Sequence, residues 1–254
     1  MDLTASDEKL ILSLHTAHGR RKSNLRLCEG VRACSELVSS APKLVKMALR
    51  NESFIPKTPF DTLPFCVVSD AKLAKLATTV SPQGILLLVE PLSMNADFEL
   101  SDPFAVILDG VADPGNMGTI IRTMRSIGLT QLFLTSGAVD PFSPKVVRSA
   151  MAAQFAMEIC KFATLADVVS ELRRKGLERF WRCDPHKGAS LFETEDVFAN
   201  SAIILGGEAG GAEELPGTDP LTLPMPGGYE SINVAQAGTV FLFDAVRRGI
   251  IPKS

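Results

Sequence analysis

Aromatic residues are scarce in this sequence of 254 residues, at 6% of the chain with one tryptophan and one tyrosine. The sequence also lacks an apolar run of about 18 residues, which a membrane-spanning helix requires. Its first residues carry acids early and lack the basic segment and cleavage site of a secretory signal peptide. We therefore expect neither a membrane span nor a signal peptide.

Cysteine and histidine are also few. The three histidines do not complete a metal-binding set, and no two cysteines have the C-x-x-C spacing of metal or redox sites. The cysteines are odd in number and scattered: Cys28, Cys34, Cys66, Cys160 and Cys183. This usage predicts reduced thiols in a cytoplasmic compartment and no metal site.

The net charge of −3 excludes a uniformly basic nucleic-acid-binding protein. A local basic patch would still suffice for RNA. Between His15 and Arg50 there are two acids and eight basic residues, namely Arg20, Arg21, Lys22, Arg26, Arg32, Lys43, Lys46 and Arg50. Each of these charges could equally be part of an ordinary solvated helix face.

The polar, proline-bounded segment 91–103 indicates a boundary between two domains, residues 1–98 and 102–254. Before it, residues 5–50 are predicted to be helical with a basic turn, followed by strands at 64–68 and 84–90 around a helix at 70–77. After it, strands at 104–109, 131–135, 155–160, 179–183, 202–206 and 221–225 alternate with helices at 119–127, 144–153, 165–175 and 231–248. This alternation predicts an α/β fold with a largely parallel sheet.

The first of three loops that follow predicted strands runs from Leu108 to Arg122 and contains glycines and a proline before a helix. Such a turn suits an anion or a nucleotide, but it is also an ordinary connector. Arg122 is expected in the first helical turn, where a cation opposes the helix dipole, and this favours an anionic partner. Alternatively, its side chain extends to solvent or pairs with an acid elsewhere.

The second loop, Gly206–Gly211, surrounds one acid, Glu208, with glycines that permit a close backbone approach to a ligand. Its glycine spacing and its late position differ from the G-x-G-x-x-G dinucleotide fingerprint, which disfavours a nucleotide-dependent oxidoreductase. The third loop, Pro224–Ala235, contains Ser231 and Asn233, either of which could cap the last helix. If Ser231 is the cap, Asn233 lies in the first turn and its amide can reach a ligand.

In this order, the three loops resemble the motifs of the SpoU (TrmH) class of SPOUT RNA methyltransferases. The matching segments are Asp113–Arg122 (DPGNMGTIIR), Leu205–Gly211 (LGGEAGG), Leu223–Met225 (LPM) and Ser231–Val234 (SINV). Residues 5–90 resemble, more loosely, the L30e-like substrate-binding domain that many members carry, in His18–Ser23, Cys28–Arg32 and Ser81–Gly84.

The resemblance implies a deep C-terminal trefoil knot and a homodimer formed through the knotted domain. We expect helix 231–248 to contribute Phe241, Leu242 and Phe243 to the dimer interface. The resemblance also implies that S-adenosylmethionine contacts Gly206, Gly207, Leu223, Met225 and Ile232. The positions of catalytic or RNA-facing residues are taken by Asn116, Arg122, Glu208, Ser231 and Asn233.

The expected activity is 2′-O-ribose methylation of RNA, with large-subunit (23S-type) ribosomal RNA favoured over tRNA. The expected role of Arg122 is to hold a phosphate and to lower the pKa of the attacking hydroxyl group, with the general base left open. The alternatives are a tRNA 2′-O-methyltransferase and a non-catalytic RNA-binding or ribosome-assembly protein of the same fold. The presence of Asn116, Arg122, Glu208 and Asn233 argues against the non-catalytic alternative.

Overall fold

The computed structural model describes residues 2–92, 98–208, 210–228 and 230–251. No helix within these ranges has the length and apolar composition needed to cross a membrane. The chain forms two compact units, Met1–Ser93 with Asp140–Ala156, and Met94–Val139 with Met157–Ser254. Part of the predicted boundary, residues 93–97, lies outside the described residues, and the division into domains 1–98 and 102–254 stays a prediction.

Eight α-helices and eleven strands are found in the described part of the chain. The helices are α1 (Ala5–Ser13), α2 (Ala17–Lys22), α3 (Val31–Ser40), α4 (Asp70–Leu76), α5 (Pro114–Ser126), α6 (Pro144–Ser149), α7 (Leu165–Arg174) and α8 (Val234–Arg247). The strands are β1 (Arg26–Glu29), β2 (Val45–Asn51), β3 (Phe65–Val68), β4 (Ile85–Val89), β5 (Ala105–Asp109), β6 (Gln131–Leu134), β7 (Glu158–Lys161), β8 (Arg179–Cys183), β9 (Ala189–Ser190), β10 (Ser201–Gly206) and β11 (Asp219–Thr222).

The first unit contains a four-stranded sheet in the order β1-β4-β2-β3. Strand β4 is buried along its whole length and pairs antiparallel with β1 and β2. The prediction that residues 5–50 are helical is therefore wrong at β1 and β2. Both strands contain short apolar runs, whose periodicity does not distinguish a strand from a buried helix, and pairing with β4 decides between them.

Residues 140–156 join the first unit through an ion pair between a buried arginine and a half-buried aspartate. The guanidinium group of Arg20, which is 7% exposed, lies 2.8 Å from the Asp140 carboxylate and donates to the carbonyl groups of Leu14 and His15. The Arg26 guanidinium lies over the Phe142 ring, 5.4 Å from its centroid. These contacts give Arg20 a structural role, so it is not part of a free basic surface.

The second unit contains a seven-stranded sheet in the order β7-β6-β5-β10-β8-β11-β9, and its six described pairings are all parallel. The predicted α/β fold with a parallel sheet is confirmed. Strand β10 is fully buried between β5 and β8. Its last residue, Gly206, is in register with Asp109, the last residue of β5. The trefoil knot stays a prediction from the resemblance.

Helix α5 begins five residues earlier than the predicted helix at 119–127. Asp113 caps it by accepting the backbone N–H of Asn116 at 2.8 Å, and Pro114 occupies the first position, where its fixed φ suits a helix. Arg122 therefore lies in the third turn, and the argument from an opposed helix dipole is wrong. Its side chain is exposed.

Helix α8 packs one face onto its own unit. Phe241 and Leu242 are each 1% exposed, so the expectation that they contribute to a dimer interface is wrong. Phe243 is 49% exposed and Val240 37% exposed, and both remain available to a partner. A Cβ at Gly238 would lie 2.9 Å from the Leu205 side chain, which shows how closely this helix approaches β10.

All five cysteines are free thiols, and four of them are buried. Burial raises the pKa of Cys160 to about 11 and raises the pKa of Cys34 well above its ordinary value. These thiols therefore stay protonated and poorly nucleophilic at neutral pH. Within the described ranges, no three His, Cys, Asp or Glu side chains are grouped so that they could hold a metal ion.

We expect Arg20→Gln to lower the free energy of unfolding by about 1–3 kcal/mol, because it removes a buried guanidinium group from its ion pair with the half-buried Asp140 and from two carbonyl groups. The neighbouring residue Arg21 is exposed and provides the control, since Arg21→Gln should change the free energy of unfolding by no more than about 0.5 kcal/mol. Urea denaturation followed by circular dichroism measures both variants. Equal effects would contradict the structural role of Arg20.

Candidate functional site

A cavity of about 290 Å³ lies at the carboxyl edge of the parallel sheet in the second unit. Ligands of open α/β sheets bind at this edge. The cavity is lined by the ends of β8, β10 and β11, by residues that follow these strands, and by residues of α8. Of the residues singled out in the sequence, it brings together Gly206, Gly207, Glu208, Leu223, Met225, Ser231, Ile232 and Asn233.

Six lining residues lie outside the motifs that the sequence analysis assigned to the site: Cys183, Asp184, Pro185, Leu221, Ala237 and Phe241. The first three lie at the end of β8 and directly after it, and this carboxyl end lies between those of β10 and β11. The strand order would have placed this turn at the site, but alternating strands and helices in a sequence do not reveal which strands are neighbours.

Asn116 joins the second and third loops through its side chain. Its Nδ2 donates to a carboxylate oxygen of Glu208, and its Oδ1 accepts from Nδ2 of Asn233 at 2.9 Å. The amide orientations follow from the contacts, since the Asn233 Oδ1 already accepts backbone N–H groups and a carboxylate can only accept. The three loops thus meet in one hydrogen-bonded chain, Glu208–Asn116–Asn233.

Asn233 is the N-cap of α8. Its Oδ1 accepts the backbone N–H groups of Ala235 at 2.9 Å and Gln236 at 3.3 Å. The interpretation of Ser231 as the cap, with Asn233 inside the first turn, is therefore wrong. Ser231 instead lies before the helix, exposed at the cavity wall.

Gly206 lies close to backbone atoms of residues 211 and 212, and Gly207 lies close to the backbone of Gly110. A Cβ at Gly206 would lie 1.8 Å from the backbone nitrogen of Ala212, and one at Gly207 would lie 2.5 Å from the carbonyl oxygen of Gly110. These glycines are therefore needed first for close packing of backbone against backbone, whereas the sequence analysis explained them by close approach to a ligand.

The Asp184 carboxylate anchors the turn after β8. One oxygen accepts the backbone N–H groups of His186 and Lys187 at 2.9 and 3.0 Å, and the other lies 3.2 Å from the Arg182 guanidinium. Burial raises the pKa of Asp184, but these hydrogen bonds and the positive charges of Arg182 and Lys187 outweigh it and hold the pKa below its ordinary value. Asp184 is therefore ionised, and both its oxygens are occupied.

Arg122 does not join the Glu208–Asn116–Asn233 chain. It follows Asn116 by six residues on α5, which places the two side chains about 120° apart around the helix axis. It neither lines the cavity nor forms a salt bridge with any described residue. Arg122 is therefore an exposed cation on another face of the helix whose first turn carries Asn116.

An apolar surface recess adjoins the cavity and shares Leu223, Met225 and Ile232 with it. The recess also includes Phe192 and Val240, which are 53% and 37% exposed. On α8, Val240 and Phe243 lie on one exposed stripe. Large exposed apolar patches of this kind mark interaction sites in soluble proteins.

A profile of the SpoU rRNA Methylase family matches residues 103–243. The 23S rRNA (guanosine(2553)-2′-O)-methyltransferase RlmP of Bacillus subtilis (strain 168) is 29% identical over 233 residues, which cover 91% of this chain and 92% of that protein.

Two crystal structures share the fold. The AdoMet-bound rRNA methyltransferase from Sinorhizobium meliloti is 26% identical with a TM-score of 0.75, covering 98% of this chain and 97% of the other. The SpoU methyltransferase AviRb from Streptomyces viridochromogenes, in complex with AdoMet, is 23% identical with a TM-score of 0.80, covering 99% and 100%.

We expect Asn233→Ala to lower the free energy of unfolding by about 1 kcal/mol through loss of the helix cap. Asn233→Asp keeps the capping oxygen and adds a negative charge that the helix dipole favours, but it loses the donor to Asn116, so its stability should lie between those of Asn233→Ala and wild type. Denaturant titration distinguishes the two variants. If the aspartate variant were as unstable as the alanine variant, the cap would not explain the contribution of Asn233.

Proposed function

The chain belongs to the SpoU rRNA Methylase family and is an S-adenosylmethionine-dependent RNA methyltransferase, and we propose that it methylates a ribose 2′-hydroxyl group of large-subunit ribosomal RNA as a homodimer. The observation that carries this proposal is the Glu208–Asn116–Asn233 chain. It links one residue from each of the three motif loops, two of them at the wall of the same cavity.

The cavity suits S-adenosylmethionine in both its apolar and its charged parts. Leu205, Leu221, Leu223, Ile232 and Phe241 offer apolar contacts for a flat base. The described lining residues include two acids and neither lysine nor arginine, which favours a ligand with a positive centre. S-adenosylmethionine carries its methyl group on a sulfonium sulfur. This sulfur is already an activated leaving group, since it departs as a neutral thioether when the methyl group is transferred.

We assign two further roles in the reaction, proton acceptance to Glu208 and binding of an RNA phosphate to Arg122. Of the two acids in the cavity, Asp184 has both oxygens occupied, whereas Glu208 has one oxygen bound to Asn116 and the other with no partner among the described residues. We assign to that oxygen the proton of the 2′-hydroxyl group. Arg122, exposed and always charged, holds a phosphate of the RNA and lowers the pKa of the attacking hydroxyl group electrostatically.

Four residues of the first unit support RNA binding. Of the eight basic residues between 20 and 50, Arg20 and Lys46 are paired with acids, and Arg26 and Arg50 donate to backbone carbonyl groups. Arg21, Lys22, Arg32 and Lys43 are exposed. We propose that this smaller set contacts phosphate groups of a structured RNA, and the name of RlmP favours 23S rRNA as the target.

The exposed stripe of α8 supports the homodimer, because Val240 and Phe243 continue the apolar recess around Phe192. A second copy of the chain would cover these side chains. We place the enzyme in the cytoplasm, since its five cysteines are free thiols and disulfides are rare in that compartment.

We expect Gly206→Ala to abolish S-adenosylmethionine binding, because the added Cβ collides with the backbone of Ala212 and displaces the cavity wall. Gly210→Ala is the matched control in the same loop, since a Cβ there meets no atom within 4 Å. Isothermal titration calorimetry without RNA measures both variants. Wild-type affinity in Gly206→Ala would mean that the cofactor binds elsewhere.

We expect Arg122→Ala to reduce methyl transfer by about 100-fold or more while the affinity for S-adenosylmethionine stays near the wild-type value, because Arg122 acts on the RNA and not on the cofactor. The assay transfers tritiated methyl groups to 23S rRNA fragments, with mass spectrometry to locate them on ribose. Arg125→Ala on the same helix is the control.

The same assay on bulk tRNA tests the target. Stronger methylation of tRNA than of 23S rRNA would overturn the proposed substrate. Methylation of bases, or no methylation by a wild-type protein that binds the cofactor, would overturn the proposed reaction.

We expect Phe243→Asp to weaken the homodimer at micromolar concentration, because it places a charge on the apolar stripe. Ile55→Asp is the control, since Ile55 is a 76% exposed apolar residue of the first unit. Light scattering measures the mass against the 27.3 kDa of one chain. A monomeric wild type would contradict the proposed assembly.

A further inference from the structure

Asp109 is an acidic residue at the carboxyl edge of the sheet that the proposed mechanism does not use. It ends β5, directly beside the end of β10, and it is only half-buried. A carboxylate in this place could be a catalytic base or a ligand contact. Its hydrogen bonds indicate another role, because each of its oxygens is already bound to the protein.

The first set of contacts ties Asp109 to both ends of the glycine-rich loop, which we define as residues 207–213. At the start of this loop, the backbone N–H of Gly207 donates to the carbonyl oxygen of Asp109 at 2.9 Å. At its end, the backbone N–H of Glu213 donates to the carboxylate Oδ2 of Asp109 at 2.9 Å. One residue therefore closes the loop that carries Glu208 and the glycines of the cavity wall.

The second set of contacts fixes the direction of the carboxylate. The hydroxyl group of Thr135, which follows β6, donates to Oδ1 of Asp109 at 2.9 Å and accepts the backbone N–H of Gly110 at 3.0 Å. Thr135 is 4% exposed, so water does not compete effectively for this contact. The carboxylate thus connects the ends of β6 and β5 with the end of the loop that follows β10.

We propose that Asp109 is a positioning residue for cofactor binding, whose carboxylate holds the end of the glycine-rich loop in the conformation that forms the cavity wall. This inference rests on the proposed function, since it takes the cavity as the S-adenosylmethionine site. Three of the seven residues of this loop are glycines, which have many accessible backbone conformations. Without the contacts of the Asp109 carboxylate, only a fraction of the molecules has the loop in the conformation that binds the cofactor. The apparent affinity is then lowered in proportion to that fraction.

The test is Asp109→Ala in the full chain, measured by calorimetry with S-adenosylmethionine and by steady-state methyl transfer. Loss of hydrogen bonds to an ionised carboxylate corresponds to about a 10- to 100-fold weaker affinity. We expect the dissociation constant and KM for S-adenosylmethionine to rise by this factor. The kcat at saturating cofactor should change by less than about threefold, because the filled site is the same.

The structure provides a closely matched control at the opposite edge of the same sheet. Asp102 also binds a threonine hydroxyl group and backbone N–H groups, those of Thr130 and Gln131, with four contacts between 2.8 and 3.1 Å. Asp102→Ala should therefore lower the melting temperature by about as much as Asp109→Ala does, while leaving the affinity for S-adenosylmethionine unchanged.

Thr135 provides a second pair of variants in case Asp109→Ala does not fold. Thr135→Ser keeps the hydroxyl group and should bind the cofactor like wild type, whereas Thr135→Val removes it and should bind more weakly. The inference is overturned if Asp109→Ala or, where that variant does not fold, Thr135→Val keeps wild-type affinity. It is also overturned if Asp102→Ala loses affinity equally, or if kcat falls as much as KM rises. A wild-type chain that does not bind S-adenosylmethionine would instead overturn the proposed function.

Discussion

The parallel pairing of β5 with β10 is the constraint on which the candidate site depends. These strands are 97 residues apart at the register pair Gly206 and Asp109 (206 − 109), yet their carboxyl ends lie side by side. Because both are buried, the register cannot slip without exposing apolar side chains to water. This fixed register is what allows Asn116, just after β5, to reach Glu208, just after β10.

The sequence was sufficient to predict the parallel sheet and the three loops, because strand–helix alternation and loop motifs are local features. It was insufficient wherever a partner distant in sequence decides the outcome. Residues 26–29 and 45–51 are strands because β4 pairs with both. Arg20 and Arg21 are adjacent and of the same type, but only Arg20 meets Asp140. The turn at Cys183–Pro185 belongs to the site only because β8 lies between β10 and β11.

Helix boundaries were a second source of error, and they changed the interpretation of individual residues. The start of α5 at Pro114 moved Arg122 out of the first turn, and the start of α8 at Val234 made Asn233 the cap. In both cases an Asp or Asn side chain accepts the first free N–H groups of the helix. Asn233 therefore combines two roles, as a cap through its oxygen and as a donor to Asn116 through its nitrogen. A cap motif and a binding motif need not be alternatives.

The segment Asp140–Ala156 belongs to the first compact unit, although strands of the second unit come before and after it in the chain. A growing chain emerges from the ribosome in sequence order. The four strands of the first sheet are complete by Val89, but Arg20 then still lacks its carboxylate, and α6 has not yet covered β1. The first unit is therefore incomplete, and the Arg20 side chain lacks its ion-pair partner, until the chain through residue 156 has been synthesised. During translation, synthesis of the two units is thus interleaved, because the first unit is complete only after β5 and β6 of the second unit have been made.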